Sequence, residues 1–134
     1  MEPMPEIELF NPPGLAPPVG FAHAAAAGDL VVLGGQTGTD ASGRIVARGD
    51  LVAQFAQAVR NVATALLAAG SGPERVIKLT YYVTDLHAYR ARLQPVGRAY
   101  REVFGRHYPA ASLVQVSGLL DPDALVEIEC VALR

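Results

Sequence analysis

Two stretches of this sequence carry a helical stripe, and that small number limits how its extended segments can be covered. The first follows Asp50, a residue suited to a helix N-cap. After it Val52, Phe55, Val59, Val62 and Leu66 step by three and four, which is one face of a helix. Gln54, Gln57, Asn61 and Thr64 take its other sides. Gly70 supplies a left-handed residue after the helix end, and Pro73 forbids continuation. The second stripe follows Asp85, another candidate cap, with Tyr89, Leu93, Val96, Tyr100 and Val103 on one face. Pro95 falls inside it and either kinks the helix or restarts it from a first turn; Gly105 closes it.

The remainder reads as strands and loops. Ile7–Phe10 fits a short edge strand, and the prolines between Leu15 and Gly20 predict an extended surface arm. Phe21–Ala27 leads into Gly28-Asp29, a hairpin turn, and then into Leu30–Gln36, a strand apolar on both faces. Val76–Thr84 alternates, with Ile77, Leu79, Tyr81 and Val83 expected inward. Two extended segments follow the second helix, His107–Val116 and Leu125–Leu133. In the latter, Val126, Ile128, Cys130 and Ala132 share one face, and Leu125, Glu127, Glu129, Val131 and Leu133 share the other. The order strand-strand-helix-strand-helix-strand-strand predicts an α+β fold in a single domain, residues 1–134.

Two helices can cover only one face of such a sheet. The other face keeps apolar area that nothing in the chain buries. Each Leu or Val taken fully out of water contributes roughly 1.5–3 kcal/mol. A homo-oligomer packed sheet face to sheet face is therefore expected.

Composition excludes several classes. With 51% apolar residues the chain is not disordered, and a net charge of −2 gives no electrostatic reason to bind nucleic acid. Arg90, Arg92, Arg98, Arg101 and Arg106 cluster, but Glu102 interrupts them and they fall on several sides of a helix, so they read as a solvated face. The single cysteine, Cys130, forms no intramolecular disulfide and belongs to the buried face of its strand. No apolar run approaches the roughly 18 residues that span a bilayer, and the N-terminus lacks a basic-then-apolar leader. A cytoplasmic protein with no membrane partner is expected.

His23, His87 and His107 are scattered, so no metal site is expected, and no sequence motif calls for a cofactor. The run Gly34-Gly35-Gln36-Thr37-Gly38 follows a strand without opening a helix. It reads as a bulge or a close backbone approach rather than a phosphate cradle, with the N–H groups of Gly35 and Gln36 available to a pocket. Glu127 is the candidate for chemistry. A carboxylate in the middle of an apolar strand must be exposed, paired or set in a cleft. Either it points to solvent beside Glu129, or it is a partly buried acid. In the second case its pKa is raised first by desolvation and second by Glu129, and it can exchange a proton with a ligand or a water.

Assembled, these segments resemble the Rid family of reactive-intermediate deaminases, also called YjgF-like or L-PSP endoribonuclease-like proteins. The matching stretches are Ala27–Gly38, Val76–Leu86, Tyr108–Ser112 and Val126–Ala132. The resemblance implies a chorismate-mutase-like fold, with a mixed sheet covered by two helices on one face. It also implies a homotrimer with an inner barrel and three small-molecule clefts between subunits. Typical members hydrolyse enamines and imines such as 2-aminoacrylate. They use an arginine for the substrate carboxylate, a glutamate that positions water, main-chain groups at a Ser-Gly-Gln turn, and a tyrosine from the N-terminal arm.

Carried over by position, the glutamate falls on Glu127 and the turn on Gly34, Gly35 and Gln36. The arginine falls on Ala111, the residue two further on is Leu113, and the tyrosine falls on Phe21. The second helix is about a turn longer than usual, around Arg90–Gln94. The resemblance is thus to an arginine-lacking branch with a wider, more apolar pocket. It implies an enzyme in which Glu127 assists hydrolysis or tautomerisation of an unsaturated nitrogen compound, and not a standard 2-aminoacrylate deaminase unless another arginine, such as Arg98 or Arg101, reaches the cleft from a neighbouring subunit. The alternative is a non-catalytic metabolite-binding or regulatory protein. Endoribonuclease activity has the weakest support.

Overall fold

The helices all lie on one side of a six-stranded sheet. The computed structural model describes residues 1–134 and contains β1 (Ile7–Phe10), β2 (Ala24–Ala27), β3 (Leu30–Thr37), α1 (Leu51–Ala68), β4 (Val76–Val83), α2 (Leu86–Arg90), α3 (Leu93–Phe104), β5 (Ala110–Gln115) and β6 (Val126–Leu133). The sheet order is β1-β2-β3-β6-β4-β5, antiparallel except for the parallel β4–β5 pair. Parallel pairing needs a crossover, and α2 with α3 supplies it. The edge strand at Ile7–Phe10 and the hairpin at Gly28-Asp29 both form, so six strands stand where the order read from sequence counted five.

Helix α1 forms as its pattern predicts. The Asp50 carboxylate accepts from the Ala53 N–H at 3.0 Å, and Gly70 turns the chain at φ +81°. Phe55, Val59, Val62 and Leu66 are buried against the sheet. At 18 residues and mean hydropathy 1.2 this helix does reach the length and composition of a membrane span, contrary to the reading from apolar runs alone; here that face is packed in the core. Gln54 and Asn61, expected on its outer sides, are buried too, at 0% and 4% exposure. The Gln54 amide donates to the carbonyls of Ala47 and Asp123 and accepts from the Leu125 N–H. Asn61 donates to the carbonyls of Thr37 and Thr39. Both side chains satisfy loop backbone that the core would otherwise leave unpaired.

Two further expectations change. Ile77 is 49% exposed and Val76 takes the inward place, because the β4–β6 register shifts between Val76 and Lys78 and the bulge reverses the alternation there. The second helical stripe is two helices. Asp85 caps α2 by accepting from the Ala88 N–H, the helix stops at Arg90, and α3 begins at Leu93 with Pro95 in its first turn. Leu93, expected inward, is 57% exposed at that restart.

The sheet face away from the helices is bare. Paired residues share a face, which places Leu30, Val32, Val131 and Leu133 together with Lys78, Thr80, Tyr82, Glu127 and Glu129. Leu30, Val32 and Leu133 are 44%, 42% and 41% exposed.

Candidate active site

Glu127 lies on the bare face, between Thr37 of β3 and Tyr82 of β4. The glycine run makes room for it. The β3–β6 register slips between Leu33 and Gln36, so Gly34 and Gly35 together oppose a single residue of β6. A Cβ on Gly35 would stand 2.5 Å from Cδ and 2.7 Å from Oε2 of Glu127, closer than atoms pack. Only glycine leaves the carboxyl where it is. The reading of a close backbone approach holds, and the approaching group is the candidate acid itself.

The electrostatics follow from that packing. Tyr82 donates its hydroxyl to Glu129 Oε1, which holds Glu129 to one side. Glu127 makes no hydrogen bond within the chain, and no buried side-chain polar atom lacks a partner, so its carboxyl is open to solvent at its tip. Burial raises its pKa above the usual carboxylate value, and the neighbouring Glu129 raises it further. A half-buried, unpartnered acid with this bias holds its proton to higher pH than an ordinary carboxyl and can give and take one.

The N-terminal arm is tied down beside the bulge. Asn11 Oδ1 accepts from the His23 N–H at 2.9 Å. The Gln36 amide donates to His23 Nδ1 at 3.1 Å, which leaves Nε2 to donate to the Ala16 carbonyl at 2.7 Å. Gln36 is 2% exposed, so its side chain positions the arm rather than facing the open sheet. Gly34 donates its N–H to the His23 carbonyl, and Phe21 stands edge-on to His23, exposed, at 5.3 Å between rings.

Ala111 and Leu113 point the other way. They pair with Leu79 and Tyr81, whose side chains face the helices. Ala111 lines a cavity of about 260 Å³ between α3 and the β4–β5 pair, walled by Tyr81, Tyr89, Val96 and Tyr100 with Arg101 among its lining residues. Leu113 lines an adjoining hollow with Leu86 and Arg90. Within one chain, then, the residues singled out from sequence form two groups on opposite faces.

Residues 14–134 match the family described as Endoribonuclease L-PSP. The chain belongs to this Rid family. The RutC family protein UK114 of Drosophila melanogaster is 36% identical over 127 residues, covering 94% of this chain and 88% of that one. The 3-aminoacrylate deaminase RutC of Acinetobacter baylyi is 32% identical over 126 residues, covering 93% and 96%. Among solved structures, the Rid-family protein YyfA of Yersinia pestis superposes with a TM-score of 0.84 at 26% identity, covering 96% and 100%. The mixed sheet with one helical layer is therefore the Rid fold.

Three contributors to this candidate site escaped the sequence. Tyr82 and Thr37 flank Glu127 only through strand register, and His23 joins Gln36 across 13 residues. A glycine pair in β3 and the two acids Glu127 and Glu129 in β6 were the available signal for the register.

Proposed function

We propose that this Rid protein is a homotrimeric hydrolase of an enamine- or imine-type metabolite, or a related unsaturated one, with Glu127 as its acid and water-positioning group. The observation that carries the reading is the setting of Glu127: half-buried, without a partner, raised in pKa, and given room by Gly35. Protonated Glu127 delivers its proton to the enamine carbon, forming the iminium. Water then adds to that carbon–nitrogen bond while the carboxylate accepts its proton, and the carbinolamine collapses to a carbonyl and ammonia. The name carried by the Acinetobacter relative supports the reaction class.

The placement of these residues on two faces supports it as well. Glu127 and Ala111 occupy opposite faces of one sheet, so a cleft between neighbouring copies is the arrangement that lets both line one ligand. The apolar patch of Leu30, Val32, Val131 and Leu133 gives the copies a reason to associate. Sedimentation is expected to give three times the chain mass, and Val131→Asp is expected to reduce it to one chain; a monomeric parent protein contradicts the cleft.

Ala111 narrows the substrate. A charge-assisted hydrogen bond contributes about 1.5–3 kcal/mol, and Ala111 offers none where the family arginine would fall. Ammonia release from 2-aminoacrylate generated in situ is therefore expected to be slow beside release from enamines with larger apolar substituents. Robust release from 2-aminoacrylate contradicts that narrowing. Ligand-induced thermal stabilisation with no product from any member of the panel makes the protein a binding module. RNA is disfavoured by the net charge of −2.

A further inference from the structure

We propose that the cavity between α3 and the β4–β5 pair holds a small aromatic, or comparably bulky apolar, carboxylate, with Arg101 as its anion anchor. This rests on the reading above that the Ala111 side of the chain is half of the substrate cleft, and it names the class of ligand that half accepts.

The walls select a ring. Tyr100 stacks on Phe104 with 4.7 Å between ring centroids and on Tyr108 with 5.4 Å, while Phe55 stacks on Tyr81 at 5.9 Å. Tyr81, Tyr100, Tyr108 and Phe55 all line the cavity, so a flat ligand meets aromatic surface on more than one side. Ala111 contributes only a methyl group to the lining, which leaves the volume open. About 260 Å³ lies just below the range that holds drug-sized ligands and suits a single ring with a short chain.

The rim selects the charge. Gly97 and Arg101 are one helical turn apart on α3, and Arg101 Nη1 lies only 3.1 Å from where a Cβ on Gly97 would be. The guanidinium thus lies back along the helix, and both residues line the cavity. It has no carboxylate of its own, since the ion pairs within the chain are Arg48–Asp123 and Arg134–Glu8. Its planar fork of donors fits a carboxylate. The hydroxyls of Tyr81 and Tyr89 also make no hydrogen bond within the chain, and burial raises both pKa values, so each stays a donor at neutral pH. Donors without acceptors around an apolar cavity call for an anion carrying an apolar body. A cation is repelled by Arg101, and a neutral ring leaves its charge uncompensated.

Calorimetry with trans-cinnamate and its uncharged amide, cinnamamide, separates the two contributions. At low ionic strength the wild-type protein is expected to bind cinnamate at least about tenfold more tightly than the amide. Arg101→Gln is expected to cost cinnamate at least about tenfold and the amide severalfold less, so that the preference is lost, and Arg101→Lys to restore part of it. Arg101 is exposed, and circular dichroism verifies that both variants fold. Equal binding of acid and amide, survival of the preference in Arg101→Gln, or no binding of either overturns the proposal. Enamine hydrolysis that depends on Glu127 but shows no cinnamate preference overturns this proposal alone. A preference that depends on Arg101 with no hydrolysis of any enamine overturns only the catalytic reading.

Discussion

Glu127→Gln is expected to lower enamine turnover by at least about 100-fold, the lower end of what a positioned acid contributes, while the sheet and the oligomer stay intact. Glutamine keeps the shape beside Gly35 but has no proton to deliver. The pH profile sharpens the test. Glu127 acts as an acid only while protonated, so kcat/KM is expected to fall as pH rises through its raised pKa, and that limb vanishes with the carboxyl. Stability moves in the opposite sense. A folded-state pKa above the unfolded one means that the native protein binds more protons between the two values, so stability falls as pH rises across that window. Glutamine carries no such penalty. The variant is therefore expected to melt at or above the wild-type temperature at neutral pH, with the difference closing below about pH 4, where both states of the wild type are protonated. A variant that loses activity and also melts well below wild type at neutral pH identifies Glu127 as a structural residue.

Gln54→Met should be the most damaging substitution that leaves core volume nearly unchanged. The amide meets the Ala47 carbonyl at 3.3 Å, the Asp123 carbonyl at 3.2 Å and the Leu125 N–H at 2.9 Å. Methionine fills the space and orphans all three. Unsatisfied buried groups cost about 1–3 kcal/mol each, and water reaching the loop carbonyls offsets part of that, so a loss of about 3 kcal/mol is expected. For a domain of this size the melting temperature drops by roughly 10 °C, compared at equal protein concentration. Leu125 immediately precedes β6, so the same change is expected to loosen the strand that holds Glu127. Hydrogen exchange at Val126 and Glu127 reads that directly; protection there unchanged by the substitution contradicts the linkage.

The parts of this molecule that were legible in its sequence are those governed by local period and caps. Helix α1 has a stripe, a capping aspartate and a glycine stop, each acting within a few residues. The direction of the Glu127 shift was legible for a similar reason: apolar neighbours in sequence become apolar neighbours in the strand. Ile77 was misplaced because a bulge reverses alternation, and no residue type at 76–78 announces one. The roles of Gln54 and Asn61 were hidden because their partners are backbone groups of distant loops, which carry no pattern of their own. The separation of Ala111 from Glu127 needed strand register. Ala111 pairs with Leu79 and Glu127 with Tyr82, and those two residues of β4 point to opposite sides.

The sheet order also fixes when the molecule can become competent during synthesis. β6 lies between β3 and β4 yet follows both in the chain, so neither neighbour finds its partner until residues 126–133 have emerged. A nascent chain that stops short of β6 has two separate pieces of sheet, and their unpaired edges are open to other chains. The last strand to arrive joins those pieces and brings Glu127 with it, so the candidate acid enters the molecule in the step that completes the sheet.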